Sequence, residues 1–143
     1  MATTRTHNDR TRMLLDTSGL LAFLFDAEPF HALASRLLQT NERKITHNYV
    51  LAELVALTIS RRYPRLTVLE FLDDIAIHPL IDVVWVDVAT HEAAVALLKD
   101  RADKLYSLCD AVSFAIMRQR RVATALTTDR HFVQEGFIRL LET

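Results

Sequence analysis

Only two glycines and three prolines interrupt the 143 residues of this chain. Hairpin turns depend on residues that tolerate positive φ, glycine above all, so a fold built from many tight antiparallel turns is disfavoured. A hydrophobic share of 50% argues equally against a disordered chain and supplies one sizeable core. The length suits a single domain and is too short for two ordinary ones, which leaves all-α and α/β architectures.

Hydrophobic periodicity decides between them. Met13-Leu14-Leu15, Lys44 to Thr46, Asp82 to Val86, Val122 to Leu126 and Phe137 to Leu141 are short apolar or β-branched runs and read as strands. Between them lie segments of helical spacing: Leu20 to Phe25, Pro29 to Leu38, Tyr49 to Arg61 and Leu66 to Ile77. A further helix starts at Thr90, with Ala93, Ala94, Leu97 and Leu98 on its apolar side. Ser107 to Arg118 carries an N-cap residue and a long apolar run, and reads as a largely buried helix. Strands separated by helices need crossover connections, so the expected fold is α/β, with a mainly parallel sheet of about five strands covered on both faces. Residues 1–12, with Arg5, Arg10 and Arg12 among polar neighbours, lack an apolar face and read as a flexible lead-in to a domain over 13–143.

Charge and cysteine content narrow the setting. With 17 basic and 18 acidic residues, net charge is -1, so any attraction to a polyanion has to be local. A single cysteine, Cys109, excludes an internal disulfide and fits a reducing compartment. No apolar run approaches the ~20 residues of a membrane span, and no signal-peptide core follows the polar start. A soluble cytoplasmic protein is expected.

Four acids stand where acids are costly. Asp16 and Asp129 close the strand-like runs Leu14-Leu15-Asp16-Thr17-Ser18 and Ala125-Leu126-Thr127-Thr128-Asp129, and so fall at the carboxyl rim of a parallel sheet, where ligands bind. Either could equally cap the helix that follows. Glu53 interrupts Tyr49-Val50-Leu51-Ala52-Glu53-Leu54-Val55, and Asp110 interrupts Leu108-Cys109-Asp110-Ala111-Val112. For Glu53 a narrow solvated stripe is an adequate explanation; Asp110, a poor helix former with apolar flanks, is harder to explain that way. Four carboxylates facing one crevice would raise one another's pKa values, and a divalent cation resolves that conflict. Hard oxygen donors with no nearby Cys or His pair suit Mg²⁺ or Mn²⁺ rather than zinc. Such ions serve phosphodiester hydrolysis, with Thr17, Ser18, Ser107 and Thr127 available to orient water or carboxylate.

At these residues the sequence resembles PIN-domain ribonucleases, and among them the VapC-type toxins of toxin-antitoxin pairs. The matching pieces are Leu14-Leu15-Asp16-Thr17-Ser18, Tyr49-Val50-Leu51-Ala52-Glu53, Leu108-Cys109-Asp110-Ala111 and Thr127-Thr128-Asp129-Arg130-His131-Phe132, in the family's order from Met13 onward. The resemblance implies a three-layer α/β/α sandwich, a metal-dependent endoribonuclease, a homodimer, and a small cognate antitoxin that obstructs the site. It further implies that Asp16, Glu53, Asp110 and Asp129 hold the metal and that Thr127 adds a hydroxyl. The dozen residues ahead of Met13 depart from the family, whose first strand comes within a few residues of the start.

Two other classes stay open on sequence. A phosphate-accepting receiver domain also carries acids at strand ends, and Asp87 could mimic its acceptor, but no acid precedes Asp16 and no Lys follows Lys104. A catalytically inactive interaction protein could keep the fold, although all four acids are present. A haloacid-dehalogenase-like phosphatase would want Asp-x-Asp where this chain has Asp16-Thr17-Ser18. Arg61, Arg62, Arg118, Arg120 and Arg121 are candidates for RNA-backbone contacts or for helix C-terminal charges. Leu37, Leu38, Val68, Leu69, Phe71 and Leu72 are candidates for an interface or for the core.

Overall fold

The computed structural model describes residues 11–143. The first ten residues, on which most of the lead-in expectation falls, lie outside the described residues. The first strand, β1 (Thr11–Leu15), begins two residues ahead of the apolar run that marked it. It leads into α1 (Thr17–Leu24) and α2 (His31–Leu38), then β2 (Arg43–His47), α3 (Asn48–Arg61) and α4 (Arg65–Ile77). The second half holds β3 (Ile81–Val84), α5 (Val88–Asp100), α6 (Leu108–Arg120), β4 (Thr124–Leu126), α7 (Arg130–Gln134) and β5 (Ile138–Arg139).

The five strands form one sheet in the order β3-β2-β1-β4-β5, and every neighbouring pair is parallel. The chain winds outward from β1 to β3, then crosses back to β4 on the other side of β1. Because crossovers are right-handed, this reversal puts the helices of the second half on the opposite face. Alternation along β1 matches: Met13 and Leu15 pack with residues of α1 to α4, whereas Leu14 packs with Ala94, Phe114 and Phe132 of α5, α6 and α7. The result is the expected α/β/α sandwich. Strand order reverses between β1 and β4, which is where a parallel sheet opens a crevice at its carboxyl edge.

Several details differ from the periodicity. The third strand ends at Val84, and Trp85 leaves the sheet with 75% of its surface exposed, so β-branched content overstated the strand. The short helix α7 escaped notice because five residues give too little period to read. Leu38 and Val68 are buried, Leu37 and Phe71 pack partly against the core and Leu72 is half-buried, which leaves Leu69 as the exposed member of that proposed surface. The largest exposed apolar side chains are instead Leu105, Ile77, Trp85 and Val88. Among the described residues no helix is long and apolar enough to cross a membrane.

One of the two glycines is indispensable to the layer contact. A Cβ built on Gly19 would lie 2.0 Å from the backbone oxygen of Leu126, so α1 can approach the end of β4 only because residue 19 has no side chain. Gly19→Ala is expected to lower stability by about 1 to 3 kcal/mol or more, since backbone, rather than a flexible side chain, must give way. Urea denaturation of the variant checks this, and an unchanged midpoint would mean that the two elements are not so tightly apposed.

Candidate active site

The reversal between β1 and β4 brings together residues more than a hundred positions apart. Asp16 follows β1 and is the N-cap residue of α1, yet its side chain makes no capping hydrogen bond. Its Oδ2 instead accepts from Thr127 Oγ1 at 2.7 Å, just beyond β4, and more weakly from Ser18 Oγ at 3.4 Å. Thr127 Oγ1 in turn accepts from the backbone N–H of Asp129 at 3.0 Å, and Ser18 Oγ accepts from that of Thr128 at 3.0 Å. A hydroxyl pair thus ties the ends of β1 and β4 into one surface.

Asp129 is the N-cap of α7, with Oδ1 accepting from the His131 N–H at 2.9 Å. The capping alternative therefore applies to Asp129 and fails for Asp16. Asp110 enters from α6, where it forms a capping box with Ser107: Asp110 N–H donates to Ser107 Oγ at 3.0 Å and Ser107 N–H donates to Asp110 Oδ2 at 3.1 Å. His131 Nδ1 lies 2.9 Å from Asp110 Oδ2 and 3.4 Å from Asp129 Oδ1. Asp110, Asp129 and His131 each offer a donor atom within 4.8 Å of the others.

Asp16 and Glu53 stand beside this group. Burial is the main reason that the Asp16 carboxyl is pushed up to about 7; the Thr127 hydrogen bond opposes it, and the charges of Asp110 and Glu53 add to it. The Cys109 thiol, buried next to Asp110 in sequence, is driven upward by the same burial and by the charges of Glu53, Asp16 and Asp110. Burial and the nearby negative charge thus hold the lone cysteine in its thiol form. Glu53, in the second turn of α3, is half-buried.

Asp16, Asp110, Asp129 and Thr127 gather at the β1–β4 junction, with the charge of Glu53 acting on Asp16, and His131, which the sequence offered only as part of the Thr127 to Phe132 motif, joins them. The missing histidine pair counted against nitrogen donors, but a single imidazole two residues past Asp129 falls on the same short helix. A second unpredicted residue supports the site from behind. His47 is fully buried; its Nδ1 accepts from the Val50 N–H and its Nε2 lies 2.8 Å from Ser113 Oγ, joining α3, which carries Glu53, to α6, which carries Asp110. Burial lowers its pKa to about 4, so the ring is neutral.

The basic residues do not face this crevice as a group. The acids sit toward the N-terminal ends of α3 and α6, whereas Arg61, Arg62, Arg118, Arg120 and Arg121 are at the far ends. Arg61 pairs with Glu28, and Arg118 joins Arg101 in pairing with the buried Glu135 carboxylate. Arg62 and Arg121 are left-handed helix caps with φ of 58° and 56°. Asp87, the residue that could mimic a phosphate acceptor, caps α5 by accepting from the Thr90 N–H at 2.8 Å.

An all-parallel α/β/α sandwich with carboxylates gathered at its strand-order reversal is the class of protein that the fold and the site define. The model of the PIN domain family matches residues 13–137, and the chain belongs to that family. Among solved structures it is similar to the Mycobacterium tuberculosis toxin VapC20, described as cleaving the sarcin-ricin loop. The TM-score is 0.79 at 29% identity, covering 88% of this chain and 96% of that one. No curated protein sequence gives a significant match. The residues present fit a divalent cation: Asp110, Asp129 and His131 offer donor atoms within 4.8 Å of one another, and the charges of Asp110 and Glu53, which add to the effect of burial on Asp16, are a repulsion that an ion would relieve.

Two buried groups predict opposing pH responses in the metal-free protein. Asp16, raised to about 7, contributes stability that is fully present below its unfolded value and lost as pH rises through 7. His47, lowered to about 4, contributes stability present above 6.5 and lost as pH falls toward 4. Each effect is a few kcal/mol, so between pH 4 and 7 they offset one another. Asp16→Asn removes one side of the balance, and denaturation in chelator should then show stability falling more steeply on acidification than in the wild type. Equal slopes would show that Asp16 ionises normally.

Proposed function

We propose that this protein is a metal-dependent endoribonuclease of the VapC type, the toxin of a toxin-antitoxin pair, acting in the cytoplasm. The observation that carries the reading is the convergence of Asp16, Asp110 and Asp129 at the β1–β4 reversal of a PIN domain. In this reading the nuclease unit runs over 13–143 and residues 1–12 are a lead-in. A homodimer and an antitoxin that covers the crevice are the expected assemblies, and the exposed Trp85, Ile77 and Val88 offer apolar surface for such contacts.

Asp16, Glu53, Asp110 and Asp129 would hold Mg²⁺ or Mn²⁺, which supplies charge neutralisation for displacement at phosphorus. The chain's own residues prepare the place. The Thr127 hydroxyl fixes the Asp16 carboxylate by donating to Oδ2, and the Asp129 N–H fixes that hydroxyl in turn. The Ser107–Asp110 capping box fixes the Asp110 carboxylate in the first turn of α6. RNA phosphates approach a crevice whose walls already carry negative charge, so binding depends on that charge being neutralised first.

Partner-free protein is expected to cut RNA in Mg²⁺ or Mn²⁺ and to be inert in EDTA, with tRNA, mRNA and a sarcin-ricin loop fragment as the comparison set. Asp16→Asn separates catalysis from folding best, because its side chain caps nothing. Cleavage should fall by about two orders of magnitude or more while metal-free stability above pH 7 stays equal or rises. Asp110→Asn is a mixed test: loss of its bonds to Ser107 and His131 should also cost ~1 to 3 kcal/mol. Thr127→Val, which removes the hydroxyl that orients Asp16, should reduce activity about 10- to 100-fold. Wild-type cleavage by Asp16→Asn, free of contaminating nuclease, would end the assignment.

A further inference from the structure

We infer that His131 is a direct nitrogen ligand of the metal, and that it makes the site select Mn²⁺ over Mg²⁺. This rests on the metal-dependent reading above. His131 Nδ1 is 2.9 Å from Asp110 Oδ2 and 3.4 Å from Asp129 Oδ1. Adjacent corners of an octahedron with metal–ligand bonds of about 2.1 Å are about 3 Å apart, so these three atoms already stand as neighbouring ligands do. A hydrogen bond to Asp110 accounts for the first separation and the α7 cap for the second, and together they hold three donor atoms within 4.8 Å of one another, the grouping a single ion needs.

The backbone gives His131 little freedom to do otherwise. Its N–H is donated to Asp129 Oδ1 as part of the α7 cap, so the imidazole and that carboxylate are held on one turn. Tyr106 packs against the ring at 5.2 Å between centroids with the planes 62° apart, and the Tyr106 side chain is itself buried. The far end of α7 is clasped by Arg101 and Arg118 on the buried Glu135 carboxylate. With its proton on Nε2, the ring presents Nδ1 to the same space as the two carboxylates.

A mixed oxygen and nitrogen set discriminates between ions. Mg²⁺ demands oxygen ligands and parts reluctantly with water. Imidazole suits the first-row divalent metals, and Mn²⁺ accepts carboxylate and imidazole together. An all-carboxylate site has no comparable reason to prefer one ion over the other.

Mn²⁺ added to the metal-free protein should give pulsed EPR modulation from a directly coordinated imidazole nitrogen. Protein labelled with ¹⁵N only in histidine should change that modulation to the ¹⁵N pattern, a readout that needs no variant. In His131→Gln the nitrogen signal should vanish and the ratio of Mn²⁺ to Mg²⁺ affinity, measured by calorimetry, should fall about tenfold or more. Mn²⁺ binding by the wild type without histidine nitrogen coupling would overturn this inference and leave the nuclease reading standing. Failure of the wild type to bind Mn²⁺ at all would overturn both.

Discussion

The burial of one carboxylate at the junction of two strands is the constraint on which the rest of this structure depends. Asp16 is 5% exposed, and its N–H donates to Leu126 O at 3.2 Å, so the charged side chain sits where β1 and β4 are joined. Leaving water costs a carboxylate several kcal/mol unless partners replace it. Thr127 and Ser18 supply part of that replacement, and Gly19 lets α1 come close enough to β4 for the hydroxyls to meet. Enlarging residue 19, removing Thr127 or shifting the register of β4 would each disturb the same few atoms.

The neighbouring acids follow a common rule. Asp16 and Asp129 are N-cap residues, Asp110 is in the first turn of α6, and Glu53 is in the second turn of α3. Helices that follow a parallel strand, as α1, α3 and α7 do, direct their N-terminal ends toward the carboxyl edge of the sheet, and α6, which leads into β4, brings its N-terminal end to Asp129 and His131. The helix dipoles soften the mutual repulsion without removing it, as the upward push on Asp16 from Asp110 and Glu53 makes plain. What remains is a fold held slightly away from its most stable composition at this cluster of carboxylates, a conflict common to functional sites.

Rigidity behind the site comes from groups with no chemical role of their own. His47 binds α3 to α6 from inside the core, and Glu135 gathers two arginines from α5 and α6 onto α7. The Arg118 charge is therefore absorbed by the fold rather than offered to RNA. Lys44, fully buried in β2, turns its ammonium to the Thr40 carbonyl and closes the loop before that strand.

Much of the architecture was legible without coordinates, because few glycines, a parallel-sheet pattern and four misplaced acids are properties of the chain itself. Alternating apolar runs and helical periods fixed the α/β class, since burial of those faces admits few arrangements. Asp16, Glu53, Asp110 and Asp129 stood out because ionised groups among apolar neighbours are expensive anywhere. Which of them cap helices was not legible: Asp16 and Asp129 look alike in sequence, and only the approach of Thr127, 111 residues away, turns Asp16 from its helix. His131 stood in the sequence only as part of the Thr127 to Phe132 motif and had no role there, because a lone imidazole acquires meaning only from what packs around it. The need for glycine at position 19 was equally silent, set by the distance to a carbonyl on another strand. Local composition determines which elements form, whereas tertiary contact decides what each side chain faces, and a site is made of facing atoms.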